Sequence, residues 1–285
     1  MDKDISIYVP VYNGEKTIKA CLDSILNQSL IPKKILVVND NSKDKTLDIL
    51  KEYKNKIEII NNSSNKGVTY SRDLAVNTLG TKYIASIDAD VELEKYWLER
   101  IYSSLFETKA TLVGGKLYEK FINNPYNFWR SIRLKQNWGE KNILNPKFVF
   151  GCNNILDTTK LNLKELYTNK SEYFKTNGED VELSLKLKKN NHILYYNNEA
   201  KCYHLQDDNG LSLAQRYWRY IHWGDGLKKR NLFKTFKNII RQIKKTFIWS
   251  FIDILEFKFK LISVNFVLLY YFIILDFKFY IKNKE

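Results

Sequence analysis

The chain has 285 residues, with 46 Lys or Arg against 32 Asp or Glu, a formal charge of +14. With 44% apolar and 27% charged residues, it is able to bury a core, which excludes collagen-like, low-complexity and disordered classes, and its length fits one large domain or one domain with an appendage. Three cysteines, Cys21, Cys152 and Cys202, are odd in number and lack CxxC spacing, so neither a zinc site nor a full disulfide set is expected and a reducing cytosol is the simplest home.

In chain order, Ile5 to Val11 reads as a strand that begins without a basic, apolar leader, so no secretory signal is expected. Ile18, Cys21, Leu22, Ile25 and Leu26 recur at helix spacing. Lys34 to Val38 is a second strand, Thr46 to Tyr53 a helix, Ile57 to Ile60 a third strand, Gly67 to Leu79 a helix and Lys82 to Ile87 a fourth strand. This alternation predicts an α/β fold, a doubly wound and mostly parallel sheet with flanking helices. A helix follows Leu93, and Thr111 to Tyr118 is a strand with Gly114-Gly115 inside it, a weakness unless another group must approach closely. Residues 119–147 read as irregular and aromatic, either a substrate-specific insertion or a satellite cluster. Phe148 to Leu156 reads as a return strand, Glu179 to Lys189 as a helix, and Ile193 to Leu205 as two short strands around an Asn-rich turn.

In such sheets ligands sit beyond the carboxyl ends of the strands. Tyr12-Asn13-Gly14, Asn39-Asp40-Asn41-Ser42 and Asp88-Ala89-Asp90 each follow a strand and should face one pocket. Each alone is also ordinary turn or cap chemistry. The Asp88-x-Asp90 spacing places two carboxylates on one side of a strand end, where they can share a hard cation.

Pro10-Val11-Tyr12-Asn13-Gly14, Val38-Asn39-Asp40-Asn41-Ser42, Asn65-Lys66-Gly67 with Ser71-Arg72-Asp73, the aspartate pair, Gly151-Cys152-Asn153-Asn154, Gly178-Glu179-Asp180 and a late His204 occur in that order. Together they resemble the family 2 glycosyltransferases of the GT-A fold, over roughly residues 5–226. The resemblance implies an inverting hexosyl or N-acetylhexosaminyl transfer. The donor would be a nucleotide-diphosphate sugar, a UDP-sugar first among them, and the acceptor a hydroxyl of a glycan or lipid-linked molecule, in surface polysaccharide or glycoconjugate synthesis. It further implies Mg or Mn as cofactor.

By the same resemblance Pro10 and Tyr12 lie at the nucleotide, with Tyr12 stacked on the base and Asp40 accepting a hydrogen bond from it. Arg72 serves as a cation at the diphosphate or base side. Asp90 binds the metal, Asp88 reaches the ribose or a metal-bound water, and His204 lies near the metal or diphosphate. Asn153, Asn154 and Glu179 belong to the acceptor or donor-sugar loop, and Asp180 is the base that takes the acceptor proton. The chain departs from the family in having Asn39 before Asp40 and Asn41 where glycine is usual.

Residues 1–227 are accordingly expected to form the transferase domain, 1–110 its nucleotide half and 111–227 its acceptor half, with 228–285 as a helical tail. The tail holds 13 basic and 4 acidic residues, a net +9. Leu232, Phe233, Phe236, Ile239, Ile240, Ile243 and Phe247 share one arc of about 120° opposite eight basic residues between Lys228 and Lys245. That pattern fits an anionic membrane surface on the cytoplasmic side, or a helix packed on the catalytic domain with a solvated basic face. Leu261 to Leu275 carries no charge and as a helix is about 22 Å long, short of a hydrocarbon core of about 30 Å. An in-plane or re-entrant anchor is expected first, then a short span, then an oligomerisation helix. The competing functional classes are a catalytically silent membrane scaffold, against which Asp40, Asp88, Asp90 and Asp180 argue, and a nucleic-acid-binding protein. The charge sits beside an apolar stripe and not along a groove, so no nucleic-acid partner is expected.

Overall fold

The computed structural model describes residues 4–167, 178–222 and 231–283. The boundary expected at 227/228, and Lys228, Lys229 and Arg230 of the tail, lie outside the described residues. By its internal contacts the chain divides into two units, Met1–Lys120 with Gln136–Leu205, and Phe121–Lys135 with Gln206–Glu285.

The first unit is an α/β sandwich. Its elements are β1 (Ile5–Val11), α1 (Ile18–Leu26), β2 (Lys34–Asn39), α2 (Thr46–Glu52), β3 (Glu58–Asn61), α3 (Val68–Leu79), β4 (Tyr83–Ile87), β5 (Val91–Leu93), α4 (Trp97–Thr108) and β6 (Leu112–Glu119). After the excursion into the second unit come β7 (Ile143–Leu144), β8 (Asn153–Asp157), α6 (Glu179–Lys189) and β9 (Leu194–His204). The sheet order is β3-β2-β1-β4-β8-β6-β9-β5, with β7 paired to β9. The pairings run β1, β2, β3, β4, β6 and β9 in one direction and β5, β7 and β8 against them, so the sheet is mixed and mostly parallel.

Apolar cores cover both faces, as a mostly parallel sheet requires. Ile5, Ile7, Val9 and Val11 of β1 pack with α1 and α4 residues such as Leu22 and Trp97. Tyr8 points the other way, into the layer of Ala75, Leu79, Leu183 and Leu187. All three cysteines are buried and free.

Three local expectations are corrected. Residues 194–204 form one strand, because the Asn-rich stretch is a bulge: register jumps from Gly114↔Tyr196 to Lys116↔Lys201. Asn197 sustains it by donating to Ser104 Oγ at 2.8 Å and accepting from Glu199 N at 2.8 Å. A Cβ on Gly115 would stand 2.4 Å from the Ala200 carbonyl oxygen, which is the close approach that explains a glycine within β6. The return strand begins only at Asn153, because the Gly151 carbonyl accepts from the side chains of Arg72 and Ser86 and not from a backbone N–H of a neighbouring strand. Within the supposedly irregular 119–147 lies a helix, α5 (Pro125–Arg133). Asn124 caps it by accepting from Tyr126 N at 2.8 Å, with Pro125 at the first helical position.

The second unit is helical: α5, α7 (Gly210–His222), α8 (Leu232–Leu255) and α9 (Lys260–Asn283). Trp129, Leu213, Tyr217, Leu261, Leu268 and Phe272 form its apolar centre. The tail helices are longer than the sequence pattern indicated, α8 and α9 having 24 residues each. The helix α7 was not anticipated.

Candidate active site

Because β2, β1 and β4 are adjacent and parallel, the segments that follow Asn39, Val11 and Ile87 leave the sheet at one edge. The first two are cross-braced by polar atoms. Asn13 N donates to Ser42 Oγ at 3.0 Å, Lys43 N to Asn13 Oδ1 at 2.8 Å, and Gly14 N to Thr46 Oγ1 at 2.8 Å. Pro10 is buried within β1, in register with Val38, while Tyr12 stands 49% exposed at the rim. Asp40 is 3% exposed. Its Oδ1 accepts from Asn62 Nδ2 at 2.7 Å and Lys66 N at 2.9 Å, and its Oδ2 from Gly67 N at 2.7 Å. This carboxylate fixes the turn into α3; Lys66 and Gly67 belong to the Asn65-Lys66-Gly67 motif, while Asn62 is a partner outside the sequence motifs.

Arg72 is the hub of the site. Carried inward by α3 and 2% exposed, it donates from Nη1 to Ser86 Oγ and to the Gly151 carbonyl at 2.8 Å, and from Nη2 to Asp88 Oδ1 at 2.7 Å. Its Nε lies 3.5 Å from Glu179 Oε1. The guanidinium therefore ties together Asp88, the 151 loop and the start of α6. Gly151 permits this crowding, since a Cβ there would be 3.1 Å from Arg72 Nη2 and 3.3 Å from Glu179 Oε1. Asp180 accepts from Gly151 N through Oδ2 at 3.0 Å.

The second cluster contains Asp90. His204 Nε2 is 3.3 Å from Asp90 Oδ2, and its Nδ1 is 3.1 Å from Glu119 Oε2. Strand pairing builds this contact, since Val91 of β5 faces His204 of β9 and Leu205 N donates to Asp90 O at 2.7 Å. Glu119 was missed in the sequence because its partner lies on a neighbouring strand 85 residues away.

Burial dominates the acids. It pushes Glu179 up to about 7 against the opposing charge of Arg72. Burial likewise raises Asp180, against the hydrogen bond from Gly151 N, and Asp88, against Arg72. At His204, burial favours the neutral ring but is outweighed by Asp90 and Glu119, so its pKa is raised. Acids whose ionisation is held back in a common cluster are suited to proton transfer near neutral pH.

Not every expected residue faces this cluster. Asn153 is 0% exposed, and its Nδ2 contacts Cys152 Sγ at 3.4 Å. Asn154 is 5% exposed and donates to the carbonyls of Phe150 and Gly151 at 3.0 and 3.1 Å. Both hold the shape of the loop that carries Gly151.

Asp88 and Asp90 keep 33% and 26% of their side-chain surface open. Among the described residues, no set of three or more His, Cys, Asp or Glu side chains could hold a metal ion by itself. Two partly open carboxylates fit Mg or Mn of the kind bound through one or two carboxylates and completed by substrate phosphate oxygens.

The family model described as "Glycosyl transferase family 2" matches residues 6–168, more than half of the chain. A poly(ribitol-phosphate) beta-glucosyltransferase of Bacillus spizizenii is 38% identical over 120 residues, 40% of this chain and 19% of that protein. Staphylococcus aureus TarS 1–349 in complex with UDP-GlcNAc superposes with a TM-score of 0.59 at 19% identity, over 75% of this chain and 64% of that one. A mannosyltransferase, PcManGT from Pyrobaculum calidifontis, in complex with GDP-Man and Mn2+, gives a TM-score of 0.54 at 14% identity, over 76% and 60%. The chain thus spans about a fifth of the length of that curated relative and under two thirds of these structures.

Proposed function

The chain belongs to glycosyl transferase family 2, and from that membership we propose that it transfers a sugar from a nucleotide-diphosphate donor, a UDP-sugar, to a hydroxyl of a glycan or lipid-linked acceptor with inversion. The observation that carries this reading is the convergence of Asp88, Glu179 and Gly151, the last bonded to Asp180, on the buried Arg72. Such an arrangement positions acids for chemistry at one place. It also argues against a silent scaffold, which needs no such convergence of acids on one cation.

In this reading the acceptor oxygen attacks the anomeric carbon in line. The bond from that carbon to the diphosphate oxygen breaks, its electron pair leaves with the nucleotide diphosphate, and the acceptor proton goes to Asp180. Gly151 N holds the Asp180 carboxylate in one orientation. Asp90 and Asp88 would hold the cation, with His204 steadying Asp90, and that cation supplies charge neutralisation at the departing diphosphate. Arg72 acts through Asp88 and Glu179, which it orients. Tyr12 offers an exposed ring for stacking on the base. Recognition of a base N–H by Asp40 is confined to Oδ2, because Oδ1 already accepts two hydrogen bonds.

Incubation with a panel of nucleotide sugars, scored for Mn-dependent release of nucleoside diphosphate, tests the reading. Release from at least one UDP-sugar is expected, and no release from any donor with or without acceptor overturns it.

A further inference from the structure

The helix α8 has its polarity inverted. Along α8 the buried positions include Thr235, Asn238, Gln242, Thr246, Ser250 and Asp253, with Ile239 the single apolar residue among the fully buried set. The large apolar side chains point outward: Phe233 is 77% exposed, Phe247 59%, Phe251 62% and Ile240 52%. Placed on a helical wheel, α8 has three sectors of roughly 100° to 120° each: a buried polar arc, an exposed apolar arc, and between them an arc with Lys237, Arg241 and Lys244. The stripe read in the sequence as an apolar packing or membrane face is thus largely uncovered, and the helix packs by its polar side.

That polar side finds several partners within the second unit. Asn265 of α9 donates to Asp253 Oδ2 at 2.8 Å and to Ser250 Oγ at 3.2 Å, and accepts from Trp129 Nε1 at 2.7 Å. Arg133 pairs with Asp253 at 2.6 Å, and Tyr217 donates to Gln242 at 2.7 Å. An interior of hydrogen-bonded polar groups beneath exposed Phe and Ile is the reverse of a water-soluble helix, and it is the arrangement favoured where the surrounding medium is apolar. The connection between the helices continues the surface, with Phe257 83% and Phe259 57% exposed. The helix α9 is itself long and apolar enough to cross a membrane, with only 33% of its apolar window buried.

We propose that α8 and α9 together form a monotopic anchor, lying in the plane of an anionic lipid surface with the Phe-rich arc in the acyl boundary and the lysine and arginine arc at the phosphates. Charge favours the lipid over a second copy of the chain: the Lys237, Arg241 and Lys244 arc meets counter-charge at anionic headgroups, whereas another copy of a chain of net +14 offers little. Charge also selects the in-plane orientation over a span. The helix α9 is bonded alongside α8, so a span would carry Lys237, Arg241 and Lys244 into hydrocarbon, which is strongly disfavoured for each cation. In the interface the same cations gain from anionic headgroups. The proposal does not depend on the transferase reading, because vesicle binding needs neither donor nor acceptor.

The test is flotation of the full chain with vesicles of phosphatidylcholine alone or mixed with phosphatidylglycerol. The unmodified chain should float with the mixed vesicles. The F236S/F247S/F251S variant should bind them about 100-fold more weakly at low and high salt alike, as loss of three partly buried rings requires. The K237Q/R241Q/K244Q variant should lose a similar factor at low salt only. Circular dichroism matching the unmodified chain certifies that these exposed substitutions leave the helices formed. Absence of flotation by the unmodified chain, or unchanged flotation by the Phe variant, overturns the proposal. A solution dimer that the Phe variant converts to monomer, without vesicle binding, assigns the face to a second copy. A tag inserted in the 256–259 connection should stay open to protease added outside sealed vesicles, and its protection overturns the in-plane orientation, because a hairpin span would carry that connection across the bilayer.

Discussion

Replacing Arg72 by Met should cost stability, because the guanidinium is a buried internal strut. The side chain is 3% exposed and satisfies the Gly151 carbonyl, Ser86 Oγ and Asp88, with Glu179 at 3.5 Å. Removing one member of a buried ion pair costs about 3–5 kcal/mol, and an orphaned buried acceptor about 1–3 kcal/mol. Two effects reduce the sum. Asp88 is one-third exposed, so its pairing is screened by water and counts little. Glu179, already titrating at about 7, escapes by taking a proton. The net loss should be about 3–4 kcal/mol at pH 8 and smaller at pH 6, where Glu179 is neutral in both proteins. Urea unfolding followed by circular dichroism measures it. The double variant R72M/E179Q should recover part of the loss, giving a coupling of about 2 kcal/mol. A loss under about 1 kcal/mol with no coupling would refute the strut and leave Arg72 as a cation kept free for donor phosphate.

Asp180→Asn, nearly isosteric and still able to accept from Gly151 N, should retain nucleotide affinity while turnover falls by about 100-fold or more; near-normal turnover would move the base elsewhere. Glu179→Gln tests the raised carboxyl through stability: between pH 4.5, its ordinary value, and about 7, the native state holds a proton that the unfolded chain has released. Stability therefore falls as pH rises through that window, and the variant should lose this part of the slope in a urea titration series. Gly115→Ala would set a methyl 2.4 Å from the Ala200 carbonyl oxygen and should cost about 3 kcal/mol through overpacking. Gly80→Ala, with open space but a φ of +63°, should cost about 1 kcal/mol. Equal unfolding midpoints for the two glycine variants would contradict the bulge geometry.

The nucleotide half was legible because its strands are buried on both faces and its helices carry one apolar stripe, so Ile5–Val11 and Ile18–Leu26 announce themselves by run length and period. Site residues at strand ends were legible for the same topological reason. Partners across the sheet were not: nothing local connects Glu119 with His204, or Ser86 with Arg72. Sequence could suggest that Arg72 is a cation near a phosphate, but not that four groups from distant segments surround it. In α5 the signal was present in Asn124-Pro125 and was overridden by the aromatic content around it. In α8 the periodicity grouped residues that share the exposed face, apart from Ile239, which is buried. Which face turns toward other helices is decided by the polar partners that Asn265, Arg133 and Tyr217 offer, and those lie elsewhere in the chain.

On the proposed function, Asp88 and Asp90 receive a nucleotide-diphosphate sugar through a divalent cation. Calorimetric titration of UDP into the full chain, with and without Mn2+, for the unmodified protein and for Asp90→Ala, tests it most directly. Mn2+ is expected to strengthen UDP binding to the unmodified protein and to leave the Asp90→Ala variant unaffected. Equal UDP affinity with and without Mn2+ in the unmodified protein, or an undiminished Mn2+ effect in the variant, would contradict it.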